Sequence, residues 1–153
     1  MSKIRIILFL IVAVVVLYFG RAYSIQLQQR ATGERAATAE REKAAAQELA
    51  AKVAREDLVV GTGAESKPGS TVSINYLGTF PDGKVFDQSL KPFDIKLGAG
   101  QVIPGMEIGL QGMKVGGKRR ITIPPEMGYG DQARGSIPAN STLIFEVELL
   151  EIK

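Results

Sequence analysis

Six aromatic residues, Tyr76, Phe80, Phe86, Phe93, Tyr129 and Phe145, come from separate segments after residue 57 of this 153-residue chain. Each alone reads as core of a small domain. Their neighbours give the set a second reading. Asp87 follows Phe86 directly, Tyr129 sits between Gly128 and Gly130, and Ile137-Pro138 lies on the same loop. A carboxylate and a phenol beside an apolar cluster describe a pocket with a few polar handles. Other chemistries are closed off by composition. The chain has no Cys, His or Trp, which excludes thiol nucleophiles, His- or Cys-ligated zinc and any triad with an imidazole base.

The remaining candidate motifs are weak. Gly112-Met-Lys-Val-Gly-Gly-Lys118 fits seven positions of a phosphate-binding loop, but Arg119 stands where a Ser or Thr hydroxyl should hold magnesium. A strand rather than a helix is expected to follow, so the segment reads as a glycine turn. Glu146 and Glu148 alternate on one strand face, which predicts solvated carboxylates rather than an acid–base pair. Lys118-Arg119-Arg120 reads as a solvated strand edge. Asn140-Ser141-Thr142 matches a glycosylation acceptor, a three-residue pattern that also arises by chance. No metal site and no cofactor are expected.

Short alternating runs broken by Gly and Pro must position the aromatic set. Val72, Ile74 and Tyr76 alternate with Ser73 and Asn75; Phe93, Ile95 and Leu97 alternate with Asp94 and Lys96. Ile121 and Ile123 follow the basic run, and Leu143, Phe145, Val147 and Leu149 alternate with polar residues. Pro81-Asp82-Gly83-Lys84 is a turn signal before Val85-Phe86. This periodicity predicts half-buried antiparallel strands. Pro104 to Met113 predicts one short helix, with Pro at its start, Met106 and Leu110 at i and i+4, and Gly at its end. The fold class is therefore α+β, an antiparallel curved sheet wrapped over one short helix.

The N-terminal part differs. After Lys3 and Arg5, Ile6–Gly20 is a run of 15 uncharged residues closed by Arg21. As a helix it spans about 22 Å at 1.5 Å per residue, short of the roughly 20 residues a full span needs. Lys3, Arg5 and Arg21 can snorkel, and Tyr18 and Tyr23 suit an interface. Residues 1–21 therefore read as an uncleaved signal-anchor holding the membrane through residues 4–20, or as a cleaved signal peptide. Arg21 between Gly20 and Ala22 makes a poor cleavage site and favours the anchor. Either reading places the rest outside the cytoplasm, on the inner or plasma membrane, or periplasmic or secreted after cleavage.

Residues 22–57 are Ala-rich, with Arg30/Glu34, Glu48/Lys52 and Lys52/Glu56 at i, i+4. That spacing predicts a solvated helical linker. The a/d seam of a coiled coil is missing, so a spacer in a monomer is favoured over a dimerisation helix. Residues 58–153 form the globular domain. Residues 1–57 carry 9 basic and 6 acidic side chains, whereas residues 58–153 carry 10 of each. The domain has no net positive charge, which argues against nucleic-acid binding.

Taken together, Val72-Ser-Ile-Asn-Tyr-Leu-Gly78, Asp82-Gly-Lys-Val-Phe-Asp87, Gln101-Val-Ile-Pro-Gly105, Gly128-Tyr-Gly130, Ile137-Pro138 and Thr142–Leu149 resemble an FKBP-type peptidyl-prolyl cis-trans isomerase. The segments occur in that family's order over residues 58–153. With its N-terminal extension the chain is similar to extracytoplasmic, membrane-anchored or exported bacterial members. The resemblance implies a rotamase acting on X-Pro bonds of unfolded or exported chains, or a non-catalytic proline-binding or chaperone module of the same fold. It implies a pocket walled by Tyr76, Phe86, Phe93, Val102, Ile103, Ile137 and Phe145. Tyr129 and the Ile103 N–H would donate to substrate carbonyls, and Asp87 would accept from ligands. The family's frequent floor Trp is Met106 here, and a frequent second aromatic is Ile95. Proline-containing polypeptides and macrolides such as tacrolimus are the ligands implied.

Overall fold

The computed structural model describes Arg21, Gln28 and residues 32–153. Of the expected anchor or signal peptide at residues 1–21, all but Arg21 lies outside the described residues. Among those described, no helix is long and apolar enough to cross a membrane. The chain divides into two compact units, Met1–Ala45 and Ala46–Lys153. In the first, residues 32–45 are helical and exposed, and the Thr38 hydroxyl donates back to the Glu34 carbonyl at 2.7 Å.

The helix containing these residues, α1 (described over 32–51), ends earlier than the linker expected through residue 57. Lys52 and Val53 N–H close its last turn on the Leu49 and Ala50 carbonyls. Val53 is buried at 4% exposure. From Ala54 the chain is a strand, so a globular domain starting at residue 58 would omit most of that strand. The expected Lys52/Glu56 helical pair is replaced by two non-local ones: Lys52 meets Glu126 at 3.6 Å, and Glu56 meets Arg120 at 3.0 Å. Weak i, i+4 charge pairs yield here to a strand ladder and a buried valine.

The second unit contains β1 (Ala54–Val59), β2 (Thr71–Thr79), β3 (Val85–Gln88), β4 (Phe93–Lys96), α2 (Pro104–Leu110), β5 (Lys118–Ile123) and β6 (Leu143–Ile152), with a 3-10 turn at Pro125–Met127. The six strands form one antiparallel sheet in the order β1-β5-β6-β2-β3, and β4 also pairs with β2. β4 takes Thr71–Ile74 and β3 takes Leu77–Thr79. The two short strands thus lie end to end along β2, and residues 89–92 between them must turn at the edge.

Alternation decides the sheet's faces. Leu143, Phe145, Val147 and Leu149 of β6 are buried. Glu146 and Glu148, between them, sit opposite Arg120 and Lys118 and pair with them at 2.8 and 3.6 Å. The inner face packs on α2. A Cβ at Gly105 would lie 2.3 Å from Ile123 Cγ2, and one at Gly109 would lie 2.5 Å from Ile121 Cδ1. These glycines therefore let the helix rest directly on β5. α2 is shorter than the expected Pro104–Met113, because Gln111 is extended (ψ 138°) and Gly112 adopts φ +74°.

Lys118-Arg119-Arg120 is not a free edge. β5 lies between β1 and β6, and Arg119 is buried at 7% exposure. Its Nη1 donates to the Gly109 and Gln111 carbonyls at 2.8 and 2.9 Å, and its Nε donates to Asp57 Oδ1 at 2.6 Å. A cation on carbonyls at a helix C-terminus opposes the negative end of the dipole. The Gly112–Lys118 segment is the turn between α2 and β5, with Gly116 at φ +84°.

Candidate functional site

A cavity of about 180 Å³ opens on the inner face of the sheet. The strands supply Ile74 and Tyr76 from β2, Asp87 from β3, Phe93 and Ile95 from β4, and Phe145 from β6. Gln101, Val102, Ile103 and Met106 come from the approach to α2 and its first turn, and Tyr129 from the loop after the 3-10 turn. Period-two alternation explains the strand contributions, since Ile74 and Tyr76 face one side, as do Phe93 and Ile95.

The aromatic walls interlock edge to face. Tyr76 meets Phe93 at 6.2 Å and 72°, and Phe145 at 6.0 Å and 61°. Phe86 meets Phe145 at 5.5 Å and 88°, whereas Phe80 packs on Phe86 at 4.9 Å with the rings tilted by 43°. Such contacts favour the ring edge against the π face and hold the rings in place. Gly78 makes room for them: a Cβ there would lie 2.7 Å from Phe86 Cζ and 3.1 Å from Phe145 Cε1.

The polar groups are few and mostly committed. The Tyr76 hydroxyl donates to Asp87 Oδ2 at 3.0 Å. Asp87 Oδ1 accepts from the Gln88 N–H at 2.8 Å. Burial, and then the Asp87 carboxylate beside it, push the Tyr76 phenol up to about 12, because both disfavour a phenolate. Gln101 Oε1 accepts the Lys96 N–H at 2.8 Å, and Glu107 Oε1 accepts the Gly100 N–H at 2.9 Å. These two bonds tie the 97–103 loop to β4 and α2. The Ile103 carbonyl accepts from Met106 and Glu107 at 2.9 and 3.3 Å. Among the described residues, neither the Ile103 N–H nor the Tyr129 hydroxyl has a hydrogen-bond partner. Two donors are thus uncommitted at an apolar cavity.

Eight of the site residues named from sequence line this cavity: Tyr76, Asp87, Phe93, Val102, Ile103, Met106, Tyr129 and Phe145. Phe86 and Ile137 do not. Phe86 stands one ring behind, between Phe80 and Phe145. Ile137 is buried in the core and closes a two-way backbone pair with Arg134. Ile74, Ile95 and Gln101 also line the cavity. The first two were visible as strand neighbours of Tyr76 and Phe93. Nothing about Gln101 as a residue type marks it, since its place follows from the Lys96 contact. Among the described residues, no cluster of His, Cys, Asp and Glu could hold a metal ion.

A family model described as FKBP-type peptidyl-prolyl cis-trans isomerase matches residues 63–150. FK506-binding protein 4 of Chaetomium thermophilum is 54% identical over 100 residues, covering 64% of this chain and 21% of that protein. FK506-binding protein 3 of Candida albicans is 50% identical over 103 residues, covering 66% and 24%. The chain therefore spans about a fifth to a quarter of the length of these relatives. Among solved structures, AtFKBP13 superposes with a TM-score of 0.62 at 37% identity, covering 66% of this chain and 93% of that one. A peptidyl-prolyl cis-trans isomerase from Pseudomonas syringae pv. tomato gives 0.61 at 36% identity, covering 66% and 75%.

Proposed function

Because this chain belongs to the FKBP-type peptidyl-prolyl cis-trans isomerase family, we propose that it accelerates rotation about X-Pro bonds in unfolded or exported polypeptides. The observation that carries the reading is the cavity itself: aromatic and aliphatic walls, with two donors left uncommitted at Tyr129 and Ile103. Its volume of about 180 Å³ is small beside the roughly 300–1,000 Å³ of sites that enclose drug-sized ligands. It suits one side chain, such as a pyrrolidine ring, better than a whole macrolide. A macrolide would enter only in part, with Asp87 accepting one of its hydroxyls.

The reaction makes and breaks no bond. Its barrier of roughly 18–20 kcal/mol is the loss of amide resonance on twisting, and uncatalysed exchange takes about 10–100 s. A twisted amide has less charge separation than a planar one. An apolar, water-poor cavity therefore binds it better relative to the ground state than water does. The walls from Tyr76, Phe93, Met106 and Phe145 would hold the proline ring. The Tyr129 hydroxyl and the Ile103 N–H would fix the flanking carbonyls. Phe86 would act from behind, by holding Phe145, and Ile137 by anchoring its loop. Asp87 would set the polarity beside the ring.

The test is cis-to-trans relaxation of a short X-Pro peptide with the full chain, alongside Tyr129→Phe and Phe145→Ala. Acceleration that falls in both variants supports the isomerase. Binding of the peptide without acceleration moves the reading to a proline-binding module, with Met106 the first residue to examine. The uncharged run Ile6–Gly20 supports a membrane anchor, and Lys3 and Arg5 ahead of it favour the domain outside the cytoplasm, against the pull of Arg21 behind it. Resistance of the full-length chain to carbonate extraction tests it.

A further inference from the structure

Arg119 keeps part of its guanidinium uncommitted. Its side chain is only 9% exposed. Nε donates to Asp57, and Nη1 donates to the Gly109 and Gln111 carbonyls. Nη2, with two further N–H donors, has no partner among the described residues. Among those residues no sealed side-chain nitrogen or oxygen lacks a partner. Nη2 therefore reaches an opening, and Arg119 lines one.

That opening is a second cavity, of about 70 Å³, which shares no lining residue with the aromatic one. Asp57 and Val59 of β1, with Val60 and Gly61 just beyond it, form one side; Gly112, Met113, Lys114 and Gly117 of the turn before β5 form the other. The turn is the glycine-rich stretch that fits seven positions of a phosphate-binding loop. A Cβ at Gly61 would lie 2.4 Å from the Lys114 and Val115 carbonyl oxygens, and one at Gly117 would lie 3.0 Å from the Gly61 nitrogen. Bare backbone on both sides thus brings the end of β1 against the turn. The Gly61 and Lys114 N–H groups make no hydrogen bond within the described protein.

The charges are unequal. Arg119 and Lys114 line the cavity as cations, and Lys114 has no ion pair among the described residues. Asp57 is the one lining anion, and its Oδ1 is taken by Arg119 Nε at 2.6 Å. Glu65 lies opposite Lys114 across an isolated bridge, but it neither pairs with Lys114 nor lines the cavity. The volume is about twice the roughly 30 Å³ share of one water molecule, enough for a group of a few heavy atoms.

We propose that this cavity binds a small oxyanion, held by Arg119 Nη2 and the Lys114 ammonium. Two N–H donors on one guanidinium nitrogen, with an ammonium beside them, suit an anion that offers more than one oxygen. The site stands apart from the isomerase reading and does not depend on it.

The test titrates inorganic phosphate or acetate into the full chain, with ionic strength held constant by chloride, and follows backbone and guanidinium resonances by NMR. Shifts that saturate and are confined to residues 57–61, 112–117 and Arg119 are expected. Saturation by phosphate alone assigns a tetrahedral oxyanion, by acetate alone a carboxylate, and by both the wider class. Lys114→Ala removes an exposed side chain and should weaken binding about two- to fivefold, the order of one partly exposed charge pair. Asp57→Asn keeps an oxygen for Arg119 Nε while removing the carboxylate, and should tighten binding by a similar factor. X-Pro relaxation should be unchanged in both variants, since neither residue touches the aromatic cavity. Shifts that rise linearly or match chloride alone would mean a cavity holding only water, and would overturn the proposal. So would a midpoint that neither variant moves.

Discussion

The Tyr76 hydroxyl donates to Asp87 Oδ2 across 3.0 Å, joining the middle of β2 to β3 at the wall of the cavity. The bond orders a carboxylate beside apolar rings and keeps the phenol neutral. Tyr76→Phe should leave the fold intact, since Asp87 retains the Gln88 N–H. It should lower kcat/KM a few-fold, in line with roughly 0.5–1.5 kcal/mol for one hydrogen bond. Peptide relaxation kinetics and a urea melt, run together, separate the two effects.

The same contact has a pH signature. Burial and Asp87 raise the folded-state pKa of Tyr76 to about 12 from 10.0. The folded state therefore holds this proton more tightly than the unfolded state. The associated stability is fully present below about pH 10 and is lost as pH rises toward 12. Ultraviolet difference titration of tyrosinate should show one phenol that ionises only near pH 12 and that disappears in Tyr76→Phe. An unchanged titration curve in that variant would sink the assignment.

Arg119 should be the costliest single side chain to remove among the charged residues described. Arg119→Ala strands two carbonyls at the end of α2 and leaves Asp57 without its guanidinium. Loss of charged hydrogen bonds of this kind costs about 2–3 kcal/mol. The Arg119 hydrogen bond holds the Asp57 carboxyl below its usual 3.8. Its contribution is thus present above about pH 4 and is lost as pH falls through the lower folded value. Denaturant melts at pH 7 and pH 3 should show the wild-type advantage over Arg119→Ala narrowing at the acid end.

Gly78 is spatially part of the site although it does not itself line the cavity. In Gly78→Ala the new methyl would meet Phe86 at 2.7 and 2.8 Å and Phe145 at 3.1 Å. Both rings must move, at about 1–3 kcal/mol for overpacking. Because Phe145 is a cavity wall, activity should fall more steeply than stability. A variant with wild-type kcat/KM would show that the rings yield without disturbing the cavity.

Tyr129→Phe removes a donor that has no partner within the described protein. Stability should change little. Activity should fall about tenfold, less than the roughly 10²–10³ seen for donors that stabilise a developing oxyanion, because little charge develops in a rotation. Phe145→Ala differs: it opens a core position that is 6% exposed and should cost about 3–5 kcal/mol as well as activity. Thermal melts paired with kinetics distinguish a lost contact from a lost fold.

Much of the fold was written locally. Alternation in Val72–Tyr76, Phe93–Leu97 and Leu143–Leu149 marks strands and their buried faces, because a side-chain period of two is a property of the backbone. Pro104, Met106 and Leu110 mark a short helix for the same kind of reason. The residue types also limit the chemistry. Without His or Cys, an apolar cavity with hydroxyl, carboxylate and amide handles is what remains.

Tertiary structure decided the rest. Ala54–Val59 is rich in charge and continues a helical pattern, yet it is a strand, because β5 offers a ladder and the core takes Val53. Arg119 looks like one cation in a basic run, but the α2 carbonyls and Asp57 bury it. Gln101 becomes a cavity wall because its side chain closes on Lys96. Phe86 is set behind Phe145 rather than beside it because Gly78 leaves room there. Local pattern reports which side of an element avoids water. Which distant partner that side meets is a pairing between remote segments, and no window of neighbouring residues contains it.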